Sequence, residues 1–169
     1  MNPLNHFMTD DYSKNLSEHA TITIANDIVK AIRPYATNIT IAGSIRRGVA
    51  PRDIDIVLIP KNKIGIHHAI IKLGGKIWSE GQSQIYFKIK GVDVNIYYAD
   101  AEHYGAQLMT RTGPRGGNIG NRTLAKNKGL ILNQYGLYKG NKLIAAKTER
   151  EIYEGLGKKY KPPEQRGRK

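Results

Sequence analysis

Between Ala42 and Pro60 the chain reads AGSIRRGVAPRDIDIVLIP, and the second half of that stretch limits the fold more than any other part of the sequence. Asp53–Ile59 is rich in β-branched residues and stops at Pro60, as a strand should. Residues two apart on a strand leave the same face, so Asp53 and Asp55 present two carboxylates side by side. Such a pair repels itself, and a hard divalent cation such as Mg²⁺ relieves the repulsion. Upstream, Gly43-Ser44 lies at a strand-to-turn junction, where a backbone without a Cβ can approach an anion closely and the hydroxyl can donate to it. Arg46 or Arg47 can clamp the same anion with paired donors. The arrangement needs a third acid from a neighbouring strand. Asp93 fits, because between Val92 and Val94 an unpaired carboxylate is costly.

The charge distribution adds a second constraint. The 169-residue chain carries a formal +13, spread unevenly. Residues 1–42 hold 3 basic and 4 acidic groups, residues 43–108 hold 9 and 6, and residues 109–169 hold 15 and 4. A C-terminal part this basic points to a polyanion, nucleic acid before an anionic membrane or an acidic protein. With no Cys there is neither a disulfide framework nor a thiolate zinc site. No apolar run approaches the roughly 18 residues of a membrane helix, and the polar start MNPLNHFMTDDYSKN has no targeting signal. The expectation is a soluble protein, cytoplasmic or intracellular in a virus-infected host, with no membrane partner.

The coarse order of elements follows from periodicity. Residues 1–15 read as a frayed start, and Leu16–Ile32 as a helix closed by Pro34, although Thr21–Ile24 alternates like a strand. Asn38–Ala42 is a short strand and His67–Leu73 a short helix ended by Gly74-Gly75. Gln84–Ile89 and Val92–Tyr98 form a hairpin across Lys90-Gly91. After Ala99 the pattern is helical to about Met109, and residues 112–117 (TGPRGG) are a loop or lobe boundary. Asn118–Lys128 is a helix stopped by Gly129. Leu130–Tyr138 and Lys142–Ala145 form a small second sheet around the Lys139-Gly140-Asn141 turn. Thr148–Gly155 is a helix with a capping box, Thr148 as N-cap and Glu151 at the third position, and the tail Lys158–Lys169 is basic and interrupted by proline.

The pattern G-S-x-R-R-G-(x4)-D-x-D followed by a β-branched strand resembles the nucleotidyltransferase signature, and more narrowly the family X DNA polymerases, of which DNA polymerase beta is the best known. The resemblance continues through TGPRGGNIGNRTLAKNKGLILNQYGLY (112–138), similar to that family's thumb, and EREIYEGLGKKYKPPEQR (149–166), similar to its closing segment. It implies an α+β fold: a nucleotidyltransferase palm, a mixed or antiparallel sheet with helices on one face, over residues 1–108, and a small basic α+β thumb lobe over 109–169. By position it implies Asp53, Asp55 and Asp93 as catalytic metal ligands for two Mg²⁺ ions, with Mn²⁺ able to substitute. It places Gly43, Ser44 and Arg47 on the nucleotide's β and γ phosphates. Thr112 and Gly113 would lie under the sugar, and Asn118 and Arg122 would face the minor-groove edge of the new base pair. The implied partners are gapped or primer–template DNA and deoxynucleoside triphosphates, with the protein a monomer.

Two departures carry expectations of their own. Where family members often have an aromatic pair crowding the sugar 2′ position, this chain has Thr110-Arg111, which implies weaker discrimination against ribonucleotides. Only 42 residues precede Gly43, too few for the family's lyase domain and helix-hairpin-helix fingers, so the resemblance is to a reduced polymerase of palm and thumb. The leading expectation is a template-directed polymerase that fills short gaps in repair. A template-independent nucleotidyltransferase acting on RNA, protein or a small molecule is the alternative. A non-catalytic DNA-binding remnant is a third reading, and it predicts loss of an acid; all three are present.

Overall fold

The computed structural model describes residues 5–167, with side chains from Ser17 onward. Five strands form one mixed sheet: β1 (Ala36–Ile41), β2 (Ile54–Pro60), β3 (Lys76–Glu80), β4 (Gln84–Ile89) and β5 (Val92–Tyr98), in the order β1-β2-β5-β4-β3. Only β2 and β5 run parallel, with Ile54 opposite Val94 and Asp55 opposite Asn95; the other pairs are antiparallel. The β4–β5 hairpin turns through Lys90 and Gly91, both at positive φ (49° and 78°), the backbone a two-residue hairpin requires.

Alternation along the strands decides which face is buried. Ile54, Ile56 and Leu58 of β2, Ile85, Phe87 and Ile89 of β4, and Val94 and Ile96 of β5 form one apolar layer. It is covered by α1 (Asn5–Ile32), through Ile24, Ala25, Ile28 and Ile32, and by α3 (Lys63–Lys72), through Ile66 and Ile70. Removing each of these isoleucine, leucine, valine and phenylalanine side chains from water contributes about 1.5–3 kcal/mol. Thr21 and Thr23, which alternate like strand residues in the sequence, instead bond their hydroxyls to the Ser17 and His19 carbonyls one turn back. The expected frayed start is helical from Asn5; the remainder of that segment lies outside the described residues.

A second core follows. After α4 (Tyr104–Thr112) come α5 (Arg115–Asn127), a small antiparallel sheet of β6 (Ile131–Asn133), β7 (Gly136–Lys139) and β8 (Lys142–Ala145), and α6 (Glu149–Gly155). Ala106, Met109, Ala125, Leu137, Ile152, Tyr153 and Leu156 meet there. Helix α4 serves both cores: Ala106 and Met109 face the second, while Leu108 packs on Ala42 and Val57 over the sheet's other face. The Tyr104 hydroxyl, shared with Thr40 and the Asn38 carbonyl, docks this helix on an irregularity in β1. Thr148 caps α6 as expected, accepting from the Glu151 N–H.

Two expectations about elements are corrected, and one strand comes unannounced. Residues 112–117 are not all loop: only Gly113 and Pro114 interrupt the helices, and Arg115-Gly116-Gly117 form the first turn of α5. Leu130–Tyr138 is two strands reversing at Gln134-Tyr135, with the Asn133 side chain accepting from the Tyr135 N–H. Strand β3 had no sequence signal, because Trp78, Ser79 and Glu80 are exposed on an edge.

Candidate active site

Between the two cores lies an open cleft of about 530 Å³. The short helix α2 (Gly43–Arg46) forms one wall, the start of β2 the floor, and the α4–α5 junction the other wall. Gly43, Ser44, Arg47, Asp53, Asp55, Gly113 and Asn118 all line it. Thus the acid pair and the glycine–serine bend, separated by ten residues, open into one space.

Gly43 has φ +59°, and a Cβ there would sit 2.4 Å from Asp55 Oδ2. The space left by the missing Cβ is occupied by the Asp55 carboxylate. Burial and the charge of Asp53 push the Asp55 carboxyl up to about 6, while a hydrogen bond from Asn95 and the charges of Arg111 and Arg47 pull it down. Asn95 Nδ2 donates to Asp55 Oδ1 at 3.1 Å, as their opposed register allows. The Ser44 hydroxyl is buried in the cleft wall without a hydrogen-bond partner among the described residues, a cost a ligand acceptor removes.

The two neighbouring arginines part company. Arg46 turns toward the second core, donating to Glu149 at 2.6 and 3.0 Å and to Thr112 Oγ1 at 2.8 Å. Arg47 lines the cleft and donates to the Thr112 carbonyl. Thr112 is fully buried beneath these contacts and serves them with both its oxygens, so it is not on the cleft surface. Gly113 is (φ +68°), at the end of α4.

Asn118 is in the second turn of α5, where its side chain donates to the Thr110 carbonyl at 2.8 Å. Arg122 lies one turn further on and is exposed, on the same helix face but outside the cleft. Asp93 stands one register step before the Ile54–Val94 pair, level with Asp53 and on the Asp55 face of the sheet. Its side chain is 57% exposed and pairs with Lys88 Nζ at 3.6 Å. Among the described residues no three acidic or histidine side chains are gathered closely enough to enclose a metal ion. What the cleft itself supplies is two hard oxygen donors, Asp53 and Asp55, of the kind Mg²⁺ takes; as a donor set they fit that ion.

Reasoning from sequence passed over two cleft arginines, Arg52 and Arg115, and took Arg111 only as standing where an aromatic pair would crowd the sugar. Arg52, Arg111 and Arg115 join Arg47 around the acids, so the cleft is anion-seeking. Arg111 lays its guanidinium 3.9 Å from the centre of the Tyr97 ring. Arg52 adjoins Asp53 in sequence and could have been read with it; Arg111 depends on a contact across the fold. Arg166, within the basic, proline-interrupted tail, is buried, donating to Glu149 at 2.5 Å and to the Lys161 carbonyl. Lys169 lies outside the described residues.

A family model described as the DNA polymerase beta thumb matches residues 107–167. Over 147 residues the chain is 30% identical to the Repair DNA polymerase X of African swine fever virus in a tick isolate from Malawi, spanning 80% of this chain and 84% of the viral protein. The figures for the Badajoz strain are the same. DNA polymerase IV of Saccharomyces cerevisiae is 40% identical over 65 residues, 38% of this chain and 11% of the yeast protein.

Proposed function

The chain belongs to the family X DNA polymerases, and on that footing we propose that its cleft binds a deoxynucleoside triphosphate and joins it, under template direction, to a primer 3′-hydroxyl, filling short gaps in damaged DNA. The observation that carries this reading is the meeting of Asp53 and Asp55 with the unpartnered Ser44 hydroxyl in a cleft walled by arginines. A triphosphate needs both: donors for its terminal oxygens and oxygen ligands for the cations that accompany it.

In this reading the Ser44 hydroxyl donates to a β- or γ-phosphate oxygen. Arg47, already oriented by the Thr112 carbonyl, keeps the rest of its guanidinium for the same phosphates. Asp53 and Asp55, with Asp93, would hold two Mg²⁺ ions, which when bound neutralise the triphosphate and ease loss of the hydroxyl proton. Asp93 is free to join: an exposed ion pair such as that with Lys88 is worth about 0–1 kcal/mol. The Asn95 hydrogen bond and the arginines favour the charged carboxylate of Asp55 against its burial. Asn118 and Arg122, one turn apart on α5, lie on the side where the nascent base pair is read, and the lysines and arginines of residues 109–169 contact DNA phosphates. The reaction is an in-line displacement at the α-phosphorus, with the primer oxygen forming the new bond and pyrophosphate leaving. Most of the acceleration comes from positioning and charge complementarity.

The test is incorporation on a one-nucleotide gapped duplex, with each of the four deoxynucleotides offered in turn against each template base. Template-matched incorporation is expected. Addition indifferent to the template would replace this reading with the template-independent transferase.

A further inference from the structure

The face of the sheet away from α1 and α3 is left open beyond α4, and an aromatic row crosses it. Trp78 of β3 and Tyr86 of β4 have ring centres 5.4 Å apart at a tilt of 34°. Tyr86 meets Tyr97 of β5 edge to face at 6.2 Å. The row ends at Arg111, whose guanidinium lies on Tyr97 and also lines the catalytic cleft. Trp78 is 64% exposed at the opposite end. A tryptophan left this open contributes little to the core, and its exposure costs solubility.

The charges beside the row match a polyanion. Lys76 and Lys88 are opposed across β3 and β4 and share this face. Asp93, paired with Lys88, is the acid on the same face of β5. Glu80, the acid of β3, lies opposite Ile85 on the helix-covered side and pairs with His67 of α3 at 2.7 Å. Rings interleaved with lysines, continuous with a nucleotide cleft through one arginine, form the kind of surface on which single-stranded nucleic acid stacks its bases while its phosphates follow the cations.

We propose that Trp78 and Tyr86 stack unpaired bases of a single-stranded DNA segment adjoining the catalytic cleft. This rests on DNA being the partner, as argued above, but not on catalysis. Trp78 is the single tryptophan of the chain, so its emission reports on this surface alone. The experiment titrates the full chain, without metal or nucleotide, with oligo(dT) of about twelve residues and with an abasic oligonucleotide of equal length. Binding is followed in parallel by anisotropy of a fluorescein-labelled strand. The expected result is quenching of Trp78 emission by oligo(dT) and not by the abasic strand, and an affinity for oligo(dT) about 5- to 150-fold weaker in Trp78→Ala, with Trp78→Phe largely restoring it. Emission unchanged at saturation, equal quenching by the abasic strand, or wild-type affinity in Trp78→Ala would each overturn it. Because no turnover is read, a chain that proved unable to extend primers could still pass this test, and an active polymerase could fail it.

Discussion

Replacing Gly43 by alanine tests the link between the bend and the acids. The new Cβ would lie 2.4 Å from Asp55 Oδ2, where ordinary contact begins at 3.4 Å, so one of the two must move by about 1 Å. The backbone cannot easily yield, because φ +59° is already unfavourable for a residue with a side chain, by about 1–2 kcal/mol. The carboxylate therefore swings away, losing its place beside Asp53 and its bond from Asn95. A displacement of ~1 Å at a reacting centre costs on the order of 100-fold in rate. Single-turnover incorporation on a one-nucleotide gap measures that loss, and thermal unfolding of the same preparation measures the strain, about 2–8 °C for a chain of this size. A folded Gly43→Ala protein that kept incorporation within threefold of wild type would refute the argument, since the acid would then tolerate a shift that the proposed chemistry forbids.

Other perturbations give distinct signatures. Asp55→Ala and Asp93→Ala should each abolish incorporation while gapped-duplex affinity stays within a few-fold, read by quench-flow and anisotropy; near-normal turnover in either would remove that acid from the site. Glu149→Gln should cost about 3–5 kcal/mol in urea unfolding, because Arg46 and Arg166 are left facing a neutral partner in a buried setting. Burial alone would raise the Glu149 carboxyl, but the hydrogen bonds and charges of Arg46 and Arg166 outweigh it and hold the group below its ordinary 4.5. Its stabilisation is thus complete above about pH 4.5 and is lost as pH falls through the depressed value; acid unfolding of Glu149→Gln should lack that component. With Thr110-Arg111 at the α4 terminus, incorporation of ribonucleotides should approach that of deoxynucleotides, and a strong deoxynucleotide preference in competition assays would show that another group guards the sugar.

Local chemistry was readable in the sequence; long-range geometry was not. The β4–β5 hairpin could be placed to the residue because strand alternation and the Lys90-Gly91 turn agree. The α6 cap followed from Thr148 and Glu151 alone. Arg115-Gly116-Gly117 misled for the opposite reason: glycines there have low helix propensity, and the turn is helical because α5 packs through Asn121 and Ala125 further along. In the site, Asp53 and Asp55 were visible because strand parity puts them together. That Arg46 would leave the cleft to meet Glu149, 103 residues away, depends on a contact no local pattern encodes. The same holds for Asn95, which reaches Asp55 only because β2 and β5 run parallel in that register.

The last side chain of α2 and the one that follows it thus have different allegiances, Arg46 to the final helix and Arg47 to the ligand space. One peptide bond separates the anchor from the grip. On the proposed reading, any tilting of the C-terminal lobe would tug directly on the segment that cups the incoming nucleotide, so that opening and releasing would become a single mechanical event.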